Sequence, residues 1–346
     1  MVSERGLQVL RAIVQDYVST HEPVGSRSIV ERHAFGVSAA TIRNDMALLE
    51  DEELIVAPHT SSGRVPTDKG YRVFVDHLAE VRPLSPAQRT AISSFLGGTG
   101  DLDDVLARTV RVLSQLTGQV AVVQYPSFAN AHVTHVELVS LAPQRLLIIL
   151  VTDNGRVSQR IAPLTVPLDD EDVPVLRGRL AALITGLAVG AASERVDALR
   201  IAADPAAPVI DTALVQVAHV LSEELEEFRQ DRLVMAGAAN LARRETDFRG
   251  SIYPLLEAIE EQVTLIRLMS EMVADSQGLA ASIGRENEQW GLAEASIVTS
   301  DYETSGSMAR VGVLGPTRMD YPSNLAAARA VARYLSRMLD EDETSR

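Results

Sequence analysis

The stretch Ser38-Ala39-Ala40-Thr41-Ile42-Arg43-Asn44-Asp45-Met46-Ala47-Leu48-Leu49 decides how the N-terminal part of this chain is read. Ile42, Met46 and Leu49 recur at i, i+4 and i+7, which is one face of an α-helix, and Ser38 stands where an N-cap belongs. The helix is predicted to run to about Glu53. Its outward face is the informative one. Ser38, Ala39, Ala40, Thr41, Arg43 and Asn44 are small or polar and crowd the first turns. Small side chains permit close approach to the DNA major groove. Arg there suits guanine or phosphate, Asn suits adenine, and Ala or Thr methyls suit thymine. The helix N-terminus is itself an anchor for phosphate.

Upstream, Leu7, Leu10, Ile13, Val14, Tyr17 and Val18 line one face of a first helix, which His21-Glu22-Pro23-Val24-Gly25 ends because Pro disfavours helical geometry just before itself. Ser26 is placed to cap a short second helix, Arg27–His33. Downstream, Leu54-Ile55-Val56-Ala57-Pro58 and Arg64-Val65-Pro66 flank the turn His59-Thr60-Ser61-Ser62-Gly63, which reads as a hairpin with Arg64 at its end. Thr67-Asp68-Lys69-Gly70 starts a fourth helix, where Tyr71, Phe74, Val75 and Leu78 can pack. Three helices followed by a hairpin predict a winged helix-turn-helix, with the hairpin as the wing. Charge does not decide the matter. Residues 1–82 hold nine basic and twelve acidic side chains, while residues 55–75 count three basic to one acidic. On pattern alone, a structural module with solvated Arg43 and Asn44 remains the competing reading.

The whole chain sets further bounds. Its 346 residues suggest two or three domains, and 46% hydrophobic against 23% charged residues is ordinary for a globular protein. A net charge of -15 argues against a nonspecific polyanion binder. With no cysteine there is no disulfide, thiol nucleophile, Cys-type zinc site or iron–sulfur cluster. Glu4, Arg5 and Arg11 break up the start, so no signal-peptide core is expected. The longest stretch without charge, Val112–Val136, carries Gln115, Gln119, Gln124, Pro126 and Asn130 and does not suit a bilayer, while Leu180–Ser193 is too short to span one. A cytoplasmic protein without membrane contact is the expectation.

Beyond residue 83 the pattern predicts strands at 119–125, 132–141, 145–152, 156–162, 295–301 and 308–314. Helices are predicted at 168–190, 212–230, Ser251–Ala274 and Ser323–Leu339. Asp153-Asn154-Gly155 is a hairpin turn signal. Strands, then helices, then strands and a helix suggest one α+β domain with an insertion. The apolar faces of 168–190, 212–230 and 251–274 are the expected source of a dimer surface.

Three runs carry a resemblance: Pro23-Val24-Gly25-Ser26-Arg27, Val37-Ser38-Ala39-Ala40-Thr41-Ile42-Arg43-Asn44-Asp45-Met46, and Pro58 through Arg72. Gly118–Val123, Ile283-Gly284-Arg285-Glu286-Asn287 and Gly315-Pro316-Thr317-Arg318-Met319-Asp320-Tyr321 continue it in order. The set resembles the family of the heat-inducible transcription repressor HrcA, with small departures at Ser62 and Val65 and a looser match over 165–250. The resemblance implies an α+β chain: a winged helix-turn-helix over 1–82, then a GAF-like α+β domain in two parts, 83–165 and 251–346. A mainly helical dimerisation domain would be inserted at 166–250. It also implies a homodimeric repressor on an inverted-repeat operator (CIRCE) in double-stranded DNA upstream of chaperone operons. The chaperonin GroEL would keep it active until heat stress diverts the chaperonin. No cofactor is implied. The outward helix face and the matching motifs make Ser26, Arg27, Ser38, Ala39, Thr41, Arg43, Asn44, His59, Arg64, Lys69 and Arg72 the candidate DNA contacts.

Other chemistry is weakly signalled. His132 and His135 lie three apart on a strand, so alternation argues against joint metal binding. Glu223, Glu224, Glu226 and Glu227 read as a solvated helix face. Gly312-Val313-Leu314-Gly315-Pro316 lacks the strand–loop–helix context of a dinucleotide loop, and Gly306-Ser307-Met308 lacks that of a nucleophile elbow. Gly315–Tyr321 reads as a structural corner in which Arg318 pairs with a carboxylate. A metabolite-responsive winged-helix regulator is the runner-up function. An enzyme with a DNA-binding appendage comes third, since no convergent catalytic set is visible.

Overall fold

The computed structural model describes residues 2–59, 62–78, 84–96, 102–126, 131–153, 157–201, 209–229, 232–248, 250–304 and 307–344. The fold is mixed α+β and divides into two compact units, one of residues 1–125, 232–302 and 310–335, the other of 126–231, 303–309 and 336–346.

The first unit opens with α1 (Glu4–Thr20), α2 (Ser26–Arg32) and α3 (Ala39–Asp51). The strands β1 (Ile55–Val56) and β2 (Val65–Pro66) and the helix α4 (Asp68–Asp76) follow. The predicted helices are present, and their ends have local causes. Ser3, Ser38 and Thr67 each accept a hydrogen bond from a backbone N–H of the first turn of α1, α3 and α4. α1 closes at His21, which takes a left-handed conformation at φ 65° and returns its N–H to the Tyr17 carbonyl, two residues before Pro23. Ser26 differs from expectation. It lies inside the first turn of α2, buried, and Gly25 holds the cap position. Val9, Leu10, Ile13, Ile29, Ile42, Leu49 and Ile55 form the fully buried centre of this bundle.

The helices α5 (Pro86–Leu96) and α6 (Leu102–Thr117) lead into β3 (Val120–Gln124), the second strand of a five-stranded sheet ordered β7-β3-β10-β9-β8. Its other members are β7 (Leu233–Ala236), β8 (Leu279–Ile283), β9 (Ala295–Thr304) and β10 (Ser307–Pro316). β3 pairs antiparallel with β7 and with β10 and is buried on both faces, which explains its unbroken run Val120-Ala121-Val122-Val123. Val120 and Val122 pack under α11 (Tyr253–Glu261) and α12 (Val263–Glu271), whose Leu255, Leu265, Leu268 and Met269 cover one face of the sheet. The single helix expected at Ser251–Ala274 is two helices because Gln262 sits at φ 59° between them. α10 (Ala239–Arg243) and α13 (Tyr321–Thr344) complete the described helices of the core. Gly312 lies inside β10, where a Cβ would fall 2.2 Å from the Val298 carbonyl, so the glycine serves strand packing.

In the second unit β4 (Val133–Ala142), β5 (Arg145–Thr152) and β6 (Val157–Pro163) form an antiparallel sheet in sequence order. The hairpin residues 154–156 lie outside the described residues, and the register Val151↔Val157 agrees with a turn there. The helices α7 (Asp172–Ile184) and α9 (Val209–Arg229) cover one face, over Val136, Leu138, Leu146, Ile148, Leu150 and Ala162, and α8 (Val189–Ile201) packs against both helices. The helix expected at 168–190 ends at Thr185, before Gly186 at φ 81°. The other face of the sheet carries Val139, Leu141, Leu147, Ile149, Val151, Val157 and Ile161, with Val139, Leu147 and Ile161 paired in one row. Val139, Leu141, Val157 and Ile161 are 40–54% exposed. Among the described residues no helix is long and apolar enough to cross a membrane.

Candidate nucleic-acid interface

α3 is fixed from below and left open above. Ile42, Met46 and Leu49 are buried, and so is Asp45, one turn from Ile42 on the same side. The Asp45 carboxylate receives both Nε (2.7 Å) and a terminal nitrogen (3.0 Å) of Arg5 from α1. This bidentate pair sets the rotation of α3 about its own axis, because a planar guanidinium fork meets a carboxylate in one orientation. A second buried acid on α1, Asp16, receives Arg32 (3.3 Å) and approaches His33 (3.0 Å), tying the end of α2 to the same helix. Two acid pairs therefore hold α2 and α3 against α1. The sequence carried a signal for Asp45, since a carboxylate on an otherwise apolar helix face requires a partner.

The upper face of α3 presents Ala40, Arg43, Asn44 and Ala47 to solvent. Arg43 and Asn44 have no hydrogen-bond or ionic partner among the described residues. Ser38 and Thr41 bond to each other at the helix start, Oγ to Oγ1 at 3.0 Å, and Ala39 is half-buried beside them. A helix start with two unengaged polar side chains flanked by methyls has the chemistry that reads base edges.

The hairpin is a little larger than its two named strands. Val24 bonds both ways with Arg64, N to O at 2.9 Å and O to N at 2.8 Å, adding a third short segment. Gly63 permits this, because a Cβ there would lie 2.6 Å from the Pro23 and Val24 backbone. Arg64 is partly engaged, with Nε 2.9 Å from Glu50 and a terminal nitrogen 3.2 Å from the Ser62 carbonyl. His59 is exposed at the turn, whose backbone Ser62 braces; Thr60 and Ser61 lie outside the described residues. Arg27 is exposed on α2 and pairs with Glu31 at 2.9 Å.

Three of the eleven candidates are not on the open face: Ser26 is buried in the first turn of α2, and Lys69 and Arg72 face elsewhere. Lys69 donates to the Glu52 carbonyl at 2.8 Å and closes the C-terminal end of α3. Arg72 turns to the core. Its Nε lies 2.7 Å from Glu286 Oε1, a terminal nitrogen also bonds Glu286, and that nitrogen reaches the Ala281 carbonyl at 2.7 Å. Burial by itself would lower the Arg72 pKa, but Glu286 and Asp76 outweigh it and leave the guanidinium above its ordinary value. No periodicity in residues 1–82 could reveal a partner more than 200 residues away.

Glu224, expected on a solvated helix face, is instead buried and paired with Arg160. His132 pairs with Asp153 and His135 with Glu137, each on its own carboxylate. Among the described residues no group of three His, Asp or Glu is arranged to hold a metal. Arg318 pairs with Asp247, as the corner reading of Gly315–Tyr321 anticipated, and its guanidinium lies 5.2 Å from the Tyr17 ring centre. Gly306 lies outside the described residues.

Comparison with known proteins agrees over the full length. The profile of the HrcA protein C terminal domain matches residues 103–324. The chain is 63% identical over 342 residues to the heat-inducible transcription repressor HrcA of Clavibacter michiganensis subsp. michiganensis, covering 99% of this chain and 100% of that protein. It is 62% identical, with the same coverage, to the protein of that name from Leifsonia xyli subsp. xyli. A crystal structure of a hypothetical protein, 24% identical, superimposes with a TM-score of 0.65 over 100% of this chain and 99% of that one, a likeness of fold.

Proposed function

The chain belongs to the HrcA family of heat-inducible transcription repressors, which are not enzymes, and from that premise we propose how this member works. Residues 1–82 act as a winged helix-turn-helix in which α3 enters the major groove and the hairpin around Arg64 is the wing. The target is a CIRCE-type inverted repeat in front of chaperone operons, bound by a homodimer and released on heat stress, with GroEL sustaining the active form. The five-stranded core is the GAF-like part; it was expected within 83–165 and 251–346, but its edge strand β7 comes from 233–236, inside the span expected for the insert. The inserted dimerisation part, expected over 166–250, also takes in the sheet β4–β6.

One observation carries the reading: the start of α3 offers Arg43 and Asn44 exposed and unengaged, on a helix rigidly held from beneath by Arg5 and Asp45. A surface residue with only a structural part to play does not need such support. The apolar helix faces expected to supply a dimer surface are buried within the chain, Leu180, Leu221 and Leu265 among them. Operator symmetry is supported instead by the outer face of β4–β6 with its aliphatic row Val139, Leu147 and Ile161, since an exposed apolar patch marks an interaction surface. A single winged helix with a net charge of -3 has little general attraction to DNA, so two copies are needed for specific binding.

The test is a footprint with the purified chain on DNA upstream of the organism's own chaperone operons. The expected result is protection of both arms of an inverted repeat, lost after heating and restored by GroEL. Equal affinity for the repeat and for scrambled DNA of the same length overturns the proposal.

A further inference from the structure

We propose that Arg72 and Glu286 are positioning residues for operator recognition: they lock the N-terminal helix-and-hairpin module to the five-stranded core at one angle and so set the half-site spacing a dimer accepts. This rests on the dimeric operator reading above.

The joint lies on one face of α4, where Asp68, Tyr71 and Arg72 fall at i, i+3 and i+4. All three meet the core. Arg72 grips the Glu286 carboxylate with two nitrogens and reaches the Ala281 carbonyl in the middle of β8. Glu286 is not loose, because its Oε2 also accepts the Ile283 N–H at 2.9 Å. Asp68 accepts the Arg285 N–H at 3.0 Å. Gly284 makes room for that contact, since at φ 53° a Cβ would fall 2.5 Å from the Asp68 carboxylate. Between the two polar grips, the Tyr71 ring lies 5.6 Å from the ring of Tyr321, itself fully buried with its hydroxyl bonded to Thr317 and Ser296. At the other end of the module, Arg318 stacks on Tyr17 of α1 while paired to Asp247.

The chemistry of the joint is the argument. An apolar contact between two bodies tolerates sliding. A bidentate guanidinium–carboxylate pair is planar and directional, and a backbone N–H aimed at a carboxylate adds a second fixed direction. Stability alone does not require such a joint, because each body has its own buried core. A joint that fixes an angle matters for a protein whose two recognition helices must meet half-sites at one separation. It also gives a role to the motif Gly284-Arg285-Glu286-Asn287, which no DNA contact explains.

The experiment uses the full-length chain, wild type and Glu286→Gln, Arg72→Gln and the exchanged pair Arg72→Glu with Glu286→Arg. Binding is measured by anisotropy on a single half-site, on the native inverted repeat, and on repeats with the spacer changed by a few base pairs. Glu286→Gln is expected to bind the half-site like wild type but to lose about tenfold on the native repeat and to flatten the dependence on spacer length, because a looser linkage lowers the effective concentration of the second helix at its site. Arg72→Gln should do the same, and the exchanged pair should restore the spacing preference. Wild-type spacing profiles in both single variants overturn the inference. An equal loss on half-site and repeat overturns it as well, because it assigns Arg72 to DNA contact or to folding. A wild-type chain that binds half-site and repeat alike removes the operator reading itself, and the inference with it.

Discussion

The two exposed faces that α3 and the sheet β4–β6 turn outward are opposites in chemistry. α3 offers Ala40, Arg43, Asn44 and Ala47, small residues around two unengaged polar groups. The sheet offers the cross-strand row Val139, Leu147 and Ile161, with Ile149 and Val157 on the same face. A face that meets DNA stays hydrated and charged until binding, since its partner is a polyanion read through hydrogen bonds. A face that meets a second protein copy gains from leaving water. On the function proposed above, the two kinds of outward face separate DNA reading from assembly within one chain.

The largest effect is expected on the sheet. Val139→Asp with Ile161→Asp places two carboxylates in one cross-strand row. Sedimentation should find a monomer, and operator affinity should fall on the order of a hundredfold or more as the linked second site is lost. A dimer that survives both charges breaks the comparison at its assembly end. Next come Arg43→Ala and Asn44→Ala, each expected to cost about 1–3 kcal/mol of discrimination between operator and altered bases with the melting temperature unchanged. Operator affinity equal to wild type in both variants breaks the other end. The smallest effect belongs to Arg64→Ala. Because Arg64 already shares its charge with Glu50, binding should weaken by no more than ~1 kcal/mol on every sequence alike, with a slightly shallower salt dependence. A loss confined to one base pair of the operator would instead make Arg64 a base-reading residue and sharpen the boundary between helix and wing.

Much of this was legible along the chain. The apolar spacing of α1 and α3 and the capping residues Ser38 and Thr67 act within one or two turns, so local pattern is enough to find them. The unbroken run of β3 likewise reports burial on both faces. The breaks at Gly186 and Gln262 were less legible. A helical pattern tolerates one left-handed residue in sequence, and only the packing on either side determines that the chain turns there.

Charged groups show the limit most clearly. The sequence by itself determined that Asp45 lies on α3, that Arg64, Asp68, Lys69 and Arg72 follow in the hairpin and α4, and that the outward α3 face is small and polar. Only the tertiary structure decided that Asp45 answers Arg5, Arg64 answers Glu50, and Arg72 answers Glu286, 214 residues away. The reason is physical. An apolar face is satisfied by any apolar surface of fitting shape, so its period alone predicts burial. A charge is satisfied by one partner in one direction, and that partner comes from whichever distant segment the fold brings beside it.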